Sequence, residues 1–349
     1  MTPTPTNNPR EDILKAEKER ILGWCGRVAA GALLLAAAVV GAPGAQAAAP
    51  TPLTIVVFSK PSLGAFLPNV IKERKLDLAN GLDITFAART PDAYAAQFNS
   101  GEFAIGGSAA VLTVGIADKR GVKAAYLFNL FDYWGAVVTQ QPGIKTIADL
   151  RGKQLAAAHG TTNYGMFEWL AKQQGVDPAS FSVVNTATPG LIGYAIANRA
   201  DAVQLWEPAY SLLIARKPDI RTIDLHIASV WRKAGGGEHI PYLGVAAHLD
   251  WIAKHPDLIA PLYRTYQAAA QWAAANPDAA APLIAGPKAT AADRQAIAKL
   301  VRNNARLGMN VMAAGKLAAS IKTVYRAGMA IGLFTSLPSD TTIYEGKLD

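Results

Sequence analysis

Residues Asn198 to Tyr210, NRADAVQLWEPAY, compress a short apolar strand, an acidic residue and a Trp-Glu-Pro corner into thirteen positions. Ala202, Val203 and Leu205 form the strand, Asp201 sits at its mouth, and Pro208 can open a helix at its first turn, where the missing N–H costs little. Trp206 and Glu207 then fall at the C-terminal end of a strand, where open α/β sheets bind their ligands. Packing offers the same residues plainer roles, Trp206 as core and Glu207 as a charge at a helix start. Both readings stay open at this point, and the first makes the corner a ligand-binding hinge.

The rest of the chain repeats the same alternation. Leu53 to Phe58 is a continuous apolar run that reads as a buried parallel strand, followed by Ser59-Lys60-Pro61 and a helix to about Arg74. Strands at Leu82 to Ala87, Phe103 to Ile105 and Val122 to Phe128 are expected, with helices at Pro91 to Asn99 and from about Ser108 to Asp118. A second series starts at Gly135 to Thr139. It has strands near Gln154 to Ala157, Phe181 to Val184 and Ala202 to Leu205, and helices near Tyr164 to Gln173, Pro189 to Asn198 and Pro208 to Ala215. Gly235-Gly236-Gly237 is a break, Tyr242 to Ala247 is another strand, and the pattern is then helical to about Met329. Such alternation argues for doubly wound, mainly parallel sheets in two α/β lobes. The chain would cross between the lobes near 132 and again near 240, a two-crossing hinge. The expected division is 50–132 for the first part of lobe 1, 133–240 for lobe 2, and 241–349 for the return to lobe 1 with C-terminal helices.

Two loops are candidates for an anion site, Gly106-Gly107-Ser108 and Gly160-Thr161-Thr162-Asn163. Glycine admits close backbone approach, the hydroxyls donate, and a helix N-terminus offers unpaired N–H groups with partial positive charge. Simple helix capping by Ser108, Thr161 and Thr162 is the plain alternative. Ser59 and Lys60 follow the first strand, where an ammonium would favour an acidic ligand. Trp134, Trp206 and Tyr242 lie at strand ends and could wall an organic ligand. His159 precedes the second glycine loop, and Glu207 could meet a ligand amine or hold Lys or Arg across the hinge.

Asp149-Leu150-Arg151-Gly152-Lys153, Gly160-Thr161-Thr162, Asp201-Ala202 and Trp206-Glu207-Pro208 occur in an order and spacing that resemble one family over roughly Leu53 to Leu337. The chain resembles the periplasmic substrate-binding proteins of ABC importers for nitrate, sulfonates, taurine and related small organic molecules, including thiamine-pyrimidine binders. The resemblance implies a type II-like two-lobed fold that closes on a small anionic or zwitterionic organic solute, sulfonate- or taurine-like. It implies an inner-membrane ABC permease as partner, a periplasmic location, and a monomer. The ligand-binding candidates read from the residues are Ser59, Lys60, Ser108, Trp134, His159, Thr161, Thr162, Asn163, Trp206, Glu207 and Tyr242, and the two glycine loops among them resemble the family's binding loops in position. A sensor that reports to a membrane receptor, or an enzyme on the same scaffold using His159 and Glu207, remain as alternatives.

The first 49 residues read as a cleavable signal peptide: a polar segment with Arg10, Lys15, Lys18, Arg20 and Arg27, an apolar core from Val28 to about Ala42, and the small run Ala45-Gln46-Ala47. Retention as an anchor is the alternative. The single cysteine, Cys25, precedes that apolar core, so a processed chain would lack thiols for disulfides, metal thiolates or nucleophilic catalysis. No P-loop, Gly-x-Ser-x-Gly, His-Glu-x-x-His or dinucleotide fingerprint is present, so no catalytic residue, cofactor or metal is expected. The net charge of +8 is spread thinly, without the basic run of a nucleic-acid surface, and no nucleic-acid partner is expected.

Overall fold

The computed structural model describes residues 49–348. The expected signal peptide and Cys25 lie outside the described residues, apart from Ala49 at its edge.

Two sheets organise the chain. The first contains β1 (Thr51–Phe58), β2 (Leu82–Arg89), β3 (Ile105–Ala110), β4 (Ala124–Asp132), β10 (Pro241–His248) and β11 (Met309–Ala313), in the order β11-β4-β10-β3-β1-β2. The second contains β5 (Ala136–Thr139), β6 (Gln154–Ala157), β7 (Ser182–Asn185), β8 (Ala202–Leu205) and β9 (Arg221–Ile223), in the order β7-β6-β8-β5-β9. The apolar run Ile55-Val56-Val57 is buried because β1 is an inner strand, paired in parallel with β2 on one side and β3 on the other.

Strand direction follows from the two crossings. In the first sheet β1 to β4 point one way, whereas β10 runs antiparallel between β3 and β4 because it brings the chain back from the other lobe. In the second sheet β5, which enters from β4, runs against both β8 and β9. Both sheets are therefore mixed in pairing while most of their strands share one direction. The crossings lie side by side, with the Tyr133 amide donating to the Ile240 carbonyl at 2.7 Å.

Three segments depart from the sequence expectation. The Gly106-Gly107-Ser108 stretch lies within β3, and the following helix begins at Val111, not at Ser108. A side chain at Gly106 would put its Cβ 2.3 Å from the Tyr94 hydroxyl, and one at Gly107 would lie 2.9 Å from the Tyr266 hydroxyl. These glycines make room for aromatic packing instead of forming a turn. Two further strands, β9 and β11, stand where no strand is expected. Gly308, at φ +64°, ends the Asn304–Leu307 helix and turns the chain into β11 against the backbone of Asp132.

Helices cover both faces of each sheet, and the lobes are in contact. One buried cluster runs from Val56 and Tyr94 in the first lobe through Tyr133 to Tyr164 and Phe167 in the second. The Ala209–Arg216 helix of the second lobe packs on the Ala291–Arg302 helix of the first. No helix among the described residues is long and apolar enough to cross a membrane.

Candidate functional site

Most of the expected residues lie at or just beyond strand ends. Lys60, just beyond β1, donates through Nζ to the Leu283 carbonyl at 2.7 Å, and partial burial lowers its pKa. It lines a cavity of about 200 Å³ to which the first lobe also gives Phe66, Lys288 and Ile297 and the second gives Pro208, Leu212 and Arg216. Asp293 is the carboxylate on that wall, and it already accepts from Arg216 at 2.9 Å and from the Thr290 amide at 3.1 Å. Lys60 and Lys288 are left without a carboxylate partner among the described residues. The cavity is thus a small apolar pocket with an excess of cations, a setting that favours an anion with a short organic tail.

The second-lobe loop sits at the start of the Thr162–Gln173 helix. Thr161 is its N-cap: its hydroxyl accepts from the Tyr164 amide at 3.2 Å and donates to the Ala158 carbonyl at 2.8 Å. Asn163 is fully buried, its Oδ1 accepting from Gln204 Nε2 at 2.7 Å, while its Nδ2 finds no acceptor in bonding geometry. The Tyr133 hydroxyl donates to the Asn163 carbonyl at 3.4 Å, and the ring of Tyr133 meets Tyr242 edge-on at 5.7 Å. Burial pushes the Tyr242 phenol up to about 12, against the pull of the Asn163 and Thr162 side chains beside it. Thr162, Asn163 and Tyr242 therefore form one group across the lobes. His159 is exposed, its ring 5.0 Å from that of Tyr164.

Other expected residues have structural surroundings. Ser108 is fully buried in β3, where its Oγ accepts from the Phe58 amide at 2.8 Å, so it does not stand at a helix start facing the cleft. Ser59 is exposed and its amide extends the ladder to the Arg89 carbonyl at 2.7 Å. Trp206 is 9% exposed within an apolar cluster containing Val203, Leu213 and Ala296. Trp134 is half-buried and meets Tyr210 edge-on at 5.0 Å.

Glu207, 1% exposed, holds an arginine from the other lobe. Its Oε1 accepts from Ser211 Oγ at 3.0 Å and from Arg306 Nε at 3.1 Å, and its Oε2 accepts from the Ser211 amide at 3.1 Å. Burial raises the Glu207 carboxyl above its ordinary range, and Arg306 and Ser211 oppose that rise. Glu207 and His159 thus have separate partners, Arg306 for the one and the ring of Tyr164 for the other. Arg306 and Arg216 escape sequence reasoning because neither belongs to a local motif and each acquires its role from a partner far along the chain, as does Gln204 within its strand; Lys288 escapes it because only the fold brings it to the cavity.

A larger groove of about 730 Å³ lies beside the crossings on the β9 and β11 edge, with Trp134, Trp231 and Arg232 in its wall. There Asp132 Oδ2 accepts from His239 Nδ1 at 2.8 Å, and Asn129 Nδ2 donates to Asp132 Oδ1 at 3.1 Å. Among the described residues no group of three or more His, Cys, Asp or Glu side chains could hold a metal ion.

No curated protein sequence is significantly similar to the chain. In structure it is similar to the alkanesulfonate-binding protein SsuA from Xanthomonas axonopodis pv. citri bound to MOPS, with a TM-score of 0.68 at 14% identity over 85% of this chain and 99% of that one. The periplasmic aliphatic sulphonate binding protein SsuA from Escherichia coli gives 0.65 at 16% identity, over 84% and 96%. The periplasmic nitrate-binding protein NrtA from Synechocystis PCC 6803 gives 0.63 at 12% identity, over 84% of each chain. The fold is thus that of the type II periplasmic binding proteins, and the family model described as NMT1/THI5 like matches residues 79–280, more than half of the sequence: the chain belongs to the NMT1/THI5-like family.

Proposed function

We propose that the chain is the solute-binding component of an ABC importer. It captures a small anionic or zwitterionic organic solute, sulfonate- or taurine-like, between its lobes in the periplasm and hands it to an inner-membrane permease. The observation that carries this reading is the cavity shared by the lobes, where Lys60, Lys288 and Arg216 face a single carboxylate that is already engaged. Its size, below the roughly 300–1,000 Å³ usual for drug-sized ligands, argues for a solute of few carbons. The apolar walls of Phe66, Leu212 and Ile297 favour an organic anion over a bare inorganic one. A solute touching both lobes shifts the open–closed equilibrium toward the closed form, the form a permease can recognise. The sulfonate and nitrate binders that share the fold are in keeping with an anionic cargo.

The test is a thermal-shift screen of the exported chain against sulfonates, taurine, carboxylates, pyrimidines, nitrate and bicarbonate. A solute at a hundred times its Kd adds about 2.7 kcal/mol, a rise of several degrees. The expected result is a rise with sulfonates or taurine. A folded, ligand-free protein that none of these compounds shifts would overturn the proposal.

A further inference from the structure

Arg306 belongs to the Asn304–Leu307 helix just before β11, in the first lobe, yet its guanidinium is spent on the second lobe and the crossing. Besides Glu207 it reaches Ser211 Oγ at 2.6 Å, and it lies over the rings of Tyr210 at 4.9 Å and Trp134 at 5.7 Å. Glu207, Tyr210 and Ser211 border or belong to the Ala209–Arg216 helix, so a hinge opening that separates the lobes breaks these contacts together.

The pair is of the kind that fixes an arrangement. Burying two charges costs several kcal/mol in lost hydration, and that cost is recovered when the geometry is good and the remaining lone pairs are satisfied. Both carboxylate oxygens of Glu207 have donors: the planar guanidinium meets Oε1 through Nε and Nη2 while lying over two rings, and the Ser211 amide serves Oε2. The other cross-lobe pair, Arg216 with Asp293, joins side chains 46% and 11% exposed and is correspondingly more screened.

We propose that Arg306 is a positioning residue for solute capture: it sets the closed angle between the lobes and holds part of the solute-free population shut, without touching the solute. This rests on the binding-protein reading above. Apparent affinity scales with the fraction of molecules in the binding-competent form, so a latch that raises the fraction closed tightens binding from outside the pocket.

Asp92 and Ala187 are exposed positions just beyond the C-terminal ends of β2 and β7, an edge strand of each sheet. Spin labels at Asp92→Cys and Ala187→Cys, in the chain carrying Cys25→Ser, report the separation of the lobes by dipolar spectroscopy. Without solute, the wild-type background is expected to show a substantial short-distance population. Arg306→Met should shift it to longer distances and weaken methanesulfonate about tenfold. Arg306→Lys, which keeps the charge but loses the planar fork, should fall between. Saturating methanesulfonate should restore the short distance in Arg306→Met.

A distance distribution that Arg306→Met leaves unchanged overturns the latch, as does a wild-type background fully open without solute. If Arg306→Met does not fold because it strands the Glu207 charge, Glu207→Gln with Arg306→Met removes that charge and carries the same expectations. The solute-free distances do not depend on the cargo. If Arg306→Met opens the lobes while methanesulfonate, taurine and sulfate leave the unlabelled protein untouched, the latch stands and the solute class fails.

Discussion

The ammonium of Lys60 is tethered to the carbonyl of Leu283, 223 residues further along the chain, on the wall of a cavity that Arg216 enters from the opposite lobe. A flexible side chain that would otherwise be solvated is thereby held at the lobe boundary. Its lowered pKa records the partial loss of water around it.

This tether makes Lys60 the residue whose charge an anionic solute should feel most. Lys60→Gln is expected to weaken a sulfonate about tenfold, near 1.4 kcal/mol, with little effect on the melting temperature. Anion binding should also fall as pH rises, starting below the ordinary lysine value of 10.5, because Lys60 loses its proton earlier than a free lysine does. Calorimetric titration of wild type and variant between pH 7 and pH 10 checks both; equal affinities would remove Lys60 from the site.

Ser108 carries the opposite expectation. Its Oγ accepts from the Phe58 amide, and a Cβ at Gly64 would lie 2.0 Å from that oxygen, so the hydroxyl is enclosed by backbone. Ser108→Ala strands a partly buried N–H and should cost about 1–3 kcal/mol of stability in a urea melt. Solute affinity of the folded fraction should stay within about twofold, whereas a serine that binds the anion directly would cost tenfold or more.

Trp206, at a strand end where it could wall a ligand, is 9% exposed and packs within an apolar cluster. Trp206→Ala removes a large ring from a cluster with Val203 and Leu213 and should cost about 3–5 kcal/mol of stability. Denaturant unfolding measures this. A variant that melts like wild type yet binds poorly would return Trp206 to the ligand wall.

How much of this was legible depends on where each signal resides. The strands β1, β4 and β8 are short, mostly apolar runs, so local pattern suffices to find them, and with them the α/β alternation and both crossings. β9 is three residues long with its first two exposed, and β11 is mostly half-buried; edge strands like these carry no clean alternation. Gly106-Gly107 read as a loop because glycine usually marks one, whereas Tyr94 and Tyr266 crowd those two positions within a strand. Glu207 was legible as a residue able to hold a cation across the hinge. Its partner was not, since Arg306 stands 99 residues away and nothing around it differs from an ordinary surface arginine.

Glu207 should leave a pH signature in stability. Its carboxyl is raised above the ordinary glutamate value of 4.5, chiefly by burial, so the folded protein holds this proton more tightly than the unfolded chain does. Stability then falls as pH rises through the raised value, and the contribution is fully present below 4.5, where both states are protonated. Glu207→Gln keeps the shape and hydrogen-bonding capacity without the charge. The wild-type stability minus that of Glu207→Gln should therefore decrease from pH 4 to pH 7 in urea melts. A difference that grows over this range would mean that Arg306 outweighs burial and that the carboxylate is ionised more readily in the fold than out of it.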